Sequence, residues 1–358
     1  MTPRQTANRL KGWALDAGFD RAGVARLTPS ADGDAFLAWL DRGDHAGMGY
    51  LARRVEERLD PRRLLDGARS ALAVAVRYAP LAGDDGEALP EPAGDLWPRV
   101  ARYARGRDYH NLVGKKLKKL ARRIRQEHPG EDARPYVDTG PVLERELAAR
   151  AGLGVVGKNT NLLHPEMGSW YLLGEILTTL DLGPGDSPLA DLCGRCTLCL
   201  EACPTGALPE PYRLDANRCI SYWTIEHRGA IPEAMRQQLG DWVFGCDVCQ
   251  EVCPWNRRYE GRADKGGVEP AEQPDLRLDE GRARLDLVGL LRIGEAEYTE
   301  RFRGSAMQRA KRSGLRRNAA LAMGNRGEER YEPALREAAG DEDEVVAEAA
   351  RWALERLG

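Results

Sequence analysis
No stretch of the 358-residue sequence approaches the roughly 20 consecutive apolar residues that span a bilayer. The opening residues, MTPRQTANRLKGW, lack the apolar core of a secretory signal. Both absences predict a cytoplasmic protein with no membrane partner, and in that compartment the eight cysteines are not expected to form disulfides. No G-x-G-x-x-G joins a strand to a helix, so a dinucleotide fold is not indicated. No D-x-H-x-x-G supplies an axial histidine to a corrinoid; in DYHNLVG (Asp108–Gly114) the glycine falls one position late. His110 there reads as a capping or core residue. Net charge is also nearly absent, at −3, which by itself points to no polyanion. The distribution says more. Residues 99–125 hold eleven Lys or Arg against one acid, and residues 301–317 hold seven against none. Each stretch reads either as a solvated helix face or as a surface for phosphate.

Hydropathy periodicity organises the remainder. TANRLKGWALDAGF reads as an amphipathic helix and RAGVARL as a strand. SALAVAVRYA, ARPYVDTG and SWYLLGEILTTLDL read as three more strands. YHNLVGKKLKKLARRIRQEH is a basic helix, and GPVLERELAARAGL a helix with Pro141 in its first turn. The alternation predicts an α/β domain over residues 1–185 inside an α+β whole. LAGDDGEALPEPAGD reads as an exposed loop; GPGDSP and EGRADKGGVEPAEQPD read as linkers. They bound a cysteine-rich domain at 186–262. Residues 263–358 are Ala-rich, helical and self-similar, as in a short HEAT-like module that must dock on something else.

The cysteines carry the chemistry. CGRCTLCLEACP has the spacing C-x2-C-x2-C-x3-C-P, whereas structural zinc favours two C-x2-C pairs a dozen or more residues apart. Tight triplets wrap one cubane, and the fourth cysteine turns to a second cluster. Cys246, Cys249, Cys253 and Pro254 repeat the last three cysteines of the motif. Val243 stands where the missing one would fall, and Cys219 is the remaining candidate. The assignment is Cys193, Cys196, Cys199 and Cys253 to one [4Fe–4S] cluster, and Cys203, Cys219, Cys246 and Cys249 to the other. Two one-electron centres beside a separate domain imply delivery of electrons to a flavin, a corrinoid or a substrate.

HAGMGYLARR, RLDPRRLLDGA, ARYARGRDYH, VDTGPVLERELAARAGLG, GKNT, GSWYLLGEILT, the cysteine framework, CISYWTIEHRG and GSAMQRAKRSGLRRNAALAMGN run in order from about residue 45 to 325. Jointly they resemble epoxyqueuosine reductase, with Val155 where that family usually carries an aromatic. The resemblance implies reduction of the epoxide of epoxyqueuosine, at the wobble position of tRNA, to queuosine. It implies cobalamin between the N-terminal and cluster domains, fed through the clusters by an unidentified electron donor; separately, a monomer is expected. It implies that Asp138 is the proton source; a plain helix cap is the alternative. Such a donor needs a raised pKa, which burial against a corrin would supply. Arg58, Tyr103, Lys158, Asn159, Thr160, Ser221 and Asp247 fall in matched segments as cobalamin contacts, Lys158 being otherwise a surface lysine. Arg309, Lys311, Arg312, Arg316 and Arg317 are the expected tRNA phosphate contacts. The competing readings are a corrinoid reductase of small molecules and a non-catalytic electron carrier.

Overall fold
The fold is that of a computed structural model, which describes residues 1–78, 97–263, 276 and 279–357. The expected loop at LAGDDGEALPEPAGD and most of the linker at EGRADKGGVEPAEQPD lie outside the described residues.

Helix α1 (Pro3–Asp16) begins three residues before the periodicity suggests. Thr2 accepts the Gln5 N–H while the Gln5 side chain returns to the Thr2 backbone, a reciprocal cap with Pro3 as first helical residue. Strands β1 (Arg21–Arg26) and β2 (Ser70–Arg77) follow, then α2 (Tyr109–Glu127), β3 (Ala133–Tyr136), α3 (Glu144–Arg150) and β4 (Tyr171–Thr178). The sheet order is β1-β2-β4-β3 and every pairing is antiparallel. The sequence reading leaves strand direction open. Alternation of helices and strands does not set strand direction, and the long connection between β1 and β2 returns the chain antiparallel.

β2 shows how one strand builds two cores. Leu72, Val74 and Val76 face α1 and α2 and pack with Leu10, Trp13, Leu117 and Ile124. Ala71, Ala73 and Ala75 point the other way, toward Leu147 and Leu177. The small side chains let α3 lie close. Gly23 on β1 has the same cause: a Cβ there would meet the Ala151 carbonyl oxygen at 2.0 Å. α3 is shorter than expected, and Pro141 lies ahead of it rather than in its first turn.

Beyond the sheet come α4 (Leu198–Ala202), β5 (Trp242–Phe244), α5 (Val248–Glu251), α6 (Leu287–Arg292), α7 (Lys311–Arg326), α8 (Glu332–Ala338) and α9 (Glu344–Glu355). Ile220, Tyr222, Trp223, Val243 and Phe244 share one apolar core with Leu290, Leu315, Ala319, Met323 and Ala350. The chain around the second cysteine group is thus fused to the C-terminal helices. Tyr103 packs against this core and against the α1–α2 core. No helix among the described residues is long and apolar enough to cross a membrane.

Candidate functional site
All eight cysteines are free thiols, and their mutual electrostatics sort them. Cys199 feels Cys193, Cys253 and Cys196. Cys253 feels Cys193 and Cys196. Cys249 feels Cys246 and Cys219, with Cys199 beyond, and Cys219 feels Cys203. The fold therefore gathers Cys193, Cys196, Cys199 and Cys253 in one neighbourhood and Cys203, Cys219, Cys246 and Cys249 in an adjoining one. Val243 is fully buried in the C-terminal core. Cys219, not residue 243, lies within electrostatic reach of Cys249 and Cys203.

The surroundings suit cluster sulfurs. Backbone N–H groups aim at them: Lys158 N donates to Cys193 Sγ at 3.4 Å, and Ala207 N to Cys203 Sγ at 3.3 Å. The Ser221 hydroxyl donates to Cys219. Such bonds stabilise thiolate charge and tune cluster potential. Burial pushes the free Cys199 thiol up to about 11; ligation to iron would favour its thiolate.

GKNT clamps the two cysteine runs. Lys158 Nζ donates to the carbonyls of Gly194 (2.7 Å) and Cys196 (3.0 Å). Asn159 Nδ2 donates to the Cys249 carbonyl at 3.1 Å. Both side chains, read from the sequence as cofactor contacts, are engaged with the cysteine loops. Thr160 has φ of 63°, and its carbonyl accepts from Arg145.

Asp138 lies on the connection from β3 to α3, with φ of 50°. A left-handed aspartate is uncommon and costs backbone energy, a feature that concentrates at functional sites. Its side chain is 52% exposed. It does not cap α3, whose N-cap is Leu143 with no side-chain bond, so the capping alternative fails. Instead Asp138 Oδ2 meets His110 Nε2 at 3.0 Å, and the Asp138 N–H donates to Glu144 Oε2 at 3.2 Å.

The charge of Asp138 is felt by Tyr50, Arg58, Tyr103, Tyr109, Glu144, Arg145, Glu175 and Arg309. Residues from the N-terminal loop, α2, α3, β4 and the C-terminal stretch thus lie within electrostatic reach of Asp138, which His110 and Glu144 contact directly. Burial, then the Asp138 charge, push Glu144 up to about 7. Buried Glu175 is pushed further in the same direction. Arg58 is half-buried, and its Nε has no hydrogen-bond partner. Tyr103 is enclosed edge-on by Tyr78 and Tyr109, with Phe244 tilted at 6.2 Å. Asp247, beside Cys246, accepts the Arg102 N–H at 2.7 Å. Asp247 and Asp138 both act on Tyr103, which places Tyr103 between the second cysteine set and Asp138.

The C-terminal basic stretch divides. Arg317 is 1% exposed and donates to the carbonyls of Trp223, His227 and Gly229 and to Asn318 Oδ1. Arg316 is 7% exposed, pairs with Asp341 and donates to the Leu291 carbonyl. Neither guanidinium reaches a phosphate without abandoning buried partners, so the expectation of tRNA contacts at Arg316 and Arg317 is corrected. Arg309 forms a fork with Glu226, Arg312 pairs with Glu295, and Lys311 stays exposed.

A family model described as "4Fe-4S double cluster binding domain" matches residues 192–256, and one described as "Epoxyqueuosine reductase QueG, DUF1730" matches residues 58–139. An epoxyqueuosine reductase of Vibrio cholerae is 39% identical over 99% of this chain and 93% of its own length. The chain belongs to the epoxyqueuosine reductase family. One of Xanthomonas campestris is 40% identical over 99% of this chain and 97% of its own. A crystal structure of an epoxyqueuosine reductase with an epoxyqueuosine-modified tRNA-Tyr stem loop superposes with a TM-score of 0.86 at 31% identity, covering 100% of this chain and 91% of that one. Another, from Bacillus subtilis, superposes at 0.87 with 30% identity over 100% and 91%; it was solved with its catalytic aspartate loop swung out of the active site.

Sequence reasoning left aside His110, Glu144 and Tyr50, which the fold brings to Asp138 or within reach of its charge. Each lies within a segment that carries the resemblance. No spacing rule links residue 110 to residue 138, because the contact is made by the fold.

Proposed function
We propose that this oxidoreductase removes the epoxide oxygen of epoxyqueuosine at the wobble position of tRNA, leaving the alkene of queuosine and water. The reaction consumes two electrons and two protons. The observation that carries the reading is that five parts of the chain lie within electrostatic reach of Asp138, with Tyr103 as the link toward the second cysteine set. One cluster takes Cys193, Cys196, Cys199 and Cys253; the other takes Cys203, Cys219, Cys246 and Cys249. Each passes one electron at a time from a separate donor protein.

The residues around Asp138 fit a corrinoid. Arg58 brings an unpartnered buried Nε, Tyr50 is partly exposed, and Tyr103 and Asp247 lie on the cluster side. Bound cobalamin supplies a strongly reducing, nucleophilic metal centre. Asp138 hands over the proton that the opening epoxide oxygen receives, and its left-handed backbone sets where that proton is offered. Arg58 and Tyr50, both within reach of the Asp138 charge, would hold the corrinoid's periphery, while Ser221 and Asp247 would support the neighbouring cluster. This reading keeps an N-terminal cobalamin-binding part (1–185), a cluster part (186–262) and a HEAT-like helical part (263–358), the last two sharing one apolar core.

For tRNA, Lys311 with the rims of Arg309 and Arg312 would meet phosphate. The stripe Lys115, Lys118, Lys119 and Arg122 on α2 is exposed and has no acidic partner among the described residues. It adds the larger free positive charge. The wobble nucleoside must leave the anticodon stack to reach Asp138. The test is Asp138→Asn in protein carrying both clusters. The visible spectrum and cobalamin binding should persist while turnover is lost; full turnover would remove Asp138 from the chemistry.

A further inference from the structure
A reaction that consumes two protons through one carboxyl must reload Asp138, and the structure shows what stands behind it. His110 opens α2, where Asp108 caps the helix by accepting the His110 N–H at 3.0 Å. The same Asp108 carboxylate meets His110 Nδ1 at 2.7 Å. The other ring nitrogen, Nε2, meets Asp138 Oδ2 at 3.0 Å. An imidazole flanked by two carboxylates makes both hydrogen bonds only when both nitrogens carry hydrogen. The ring is held flat against Tyr109, with centroids 4.1 Å apart. It remains about one-third exposed, so it can exchange protons with water.

We propose that His110 is the positioning and proton-supplying residue behind Asp138, forming with Asp108 a carboxylate–imidazolium–carboxylate relay. This rests on the reading of Asp138 as proton donor. At rest His110 is the imidazolium and Asp138 the carboxylate. The Nε2–H bond breaks toward Oδ2, which makes Asp138 the acid and leaves His110 neutral with its Nδ1–H toward Asp108; Asp138 then gives that proton to the epoxide oxygen as its C–O bond breaks. Solvent reprotonates His110, the same passage delivers the second proton, which completes the departing water, and a second proton from solvent restores the imidazolium. Two protons thus cross one carboxyl, matching the two electrons from the clusters, and no further reactant is needed.

The electrostatics agree with the geometry. Burial acts to lower the His110 pKa, but the hydrogen bonds to Asp108 and Asp138 outweigh it and hold it at about 9. The groups facing His110 are Asp108 and Tyr109 at the start of α2, with Asp138 and Glu144 from the connection to α3. Tyr109 is pushed well above its ordinary range by burial and does not titrate near neutrality. Glu144 changes charge near 7, two pH units below His110. A raised pKa means the charged form is present below about 9 and lost above it. The relay is therefore loaded at neutral pH and empties on the alkaline side.

The experiment uses protein with both clusters and added cobalamin, turning over epoxyqueuosine-containing tRNA anaerobically. His110→Gln should slow turnover about 100-fold with little change in KM for tRNA, and should remove the alkaline fall in rate near pH 9. His110→Ala should regain rate with added imidazole. Asp108→Asn keeps a competent cap, so it folds, yet should move the alkaline limb to lower pH. Independently of activity, histidine-ring NMR should place the His110 pKa near 9 in the parent and lower in Asp138→Asn. A slow His110→Gln with the alkaline limb intact and no rescue by imidazole would make His110 purely structural and overturn the relay. Full activity in His110→Gln with an inactive Asp138→Asn overturns the relay alone. Full activity in Asp138→Asn overturns the underlying reading of Asp138.

Discussion

Changing Arg317 to methionine separates two accounts of the C-terminal basic stretch. Arg317→Met keeps the length and apolar stem of the side chain but deletes a guanidinium that makes five hydrogen bonds to four acceptors. Three of those acceptors are carbonyls in the segment that follows Cys219, so the group ties α7 to the second cysteine set. Each buried acceptor left without a donor costs about 1–3 kcal/mol. Removing the cation offsets part of this. Burial holds Arg317 down to about 10 from an ordinary 12.5, which is worth about 3 kcal/mol. The net expectation is a loss of about 3 kcal/mol, a sizeable share of the ~5–15 kcal/mol that holds a protein folded. In urea unfolding followed by tryptophan fluorescence, the midpoint should fall by about 1 M with the slope unchanged. The salt dependence of tRNA binding, measured on the folded variant, should not move. If the midpoint stayed at the parent value while the log–log salt slope dropped by about one, Arg317 would be a phosphate contact and the structural reasoning would be refuted.

Three other outcomes follow from the same geometry. Replacing Lys115, Lys118, Lys119 and Arg122 together by glutamine should weaken tRNA binding and flatten its salt slope by about three to four units, read by filter binding across a salt series. Arg316→Met, by contrast, should lower the unfolding midpoint and leave that slope alone. Cys219→Ala should abolish reduction of tRNA and remove about half of the cluster absorbance, leaving the set around Cys193 to reconstitute; iron and sulfide analysis would show four of each rather than eight if one cubane is lost.

The cysteine chemistry was legible because covalent ligation imposes spacing. C-x2-C-x2-C-x3-C-P reports its own geometry, and the gap at Val243 pointed to Cys219 before any fold was known. The strands were legible for a similar reason: SALAVAVR is buried on both faces, and its alternation of large and small residues survives in the two cores. Strand direction was not, since a helix between two strands leaves the returning sense open. The arginines of α7 were misread because charge alone says nothing of burial. Arg316 and Arg317 look like Lys311 in the sequence, and the difference lies in carbonyls of Leu291, Trp223, His227 and Gly229, supplied from elsewhere in the chain. His110 was set aside on its ordinary likelihood of being a cap or a core residue. Asp108 is the cap, and the ring of His110 is turned across the fold to Asp138, 28 residues away.

The central claim, that electrons gathered by two clusters are used at Asp138 to deoxygenate a tRNA nucleoside, is tested most directly by anaerobic single turnover. Epoxyqueuosine-containing tRNA is mixed with cluster-loaded protein, cobalamin and a chemical reductant, and the nucleoside is followed by mass spectrometry. The account predicts loss of one oxygen atom from the nucleoside, dependent on reductant and on cobalamin, with two electrons consumed per tRNA. Reducible clusters together with an unchanged nucleoside mass would contradict it.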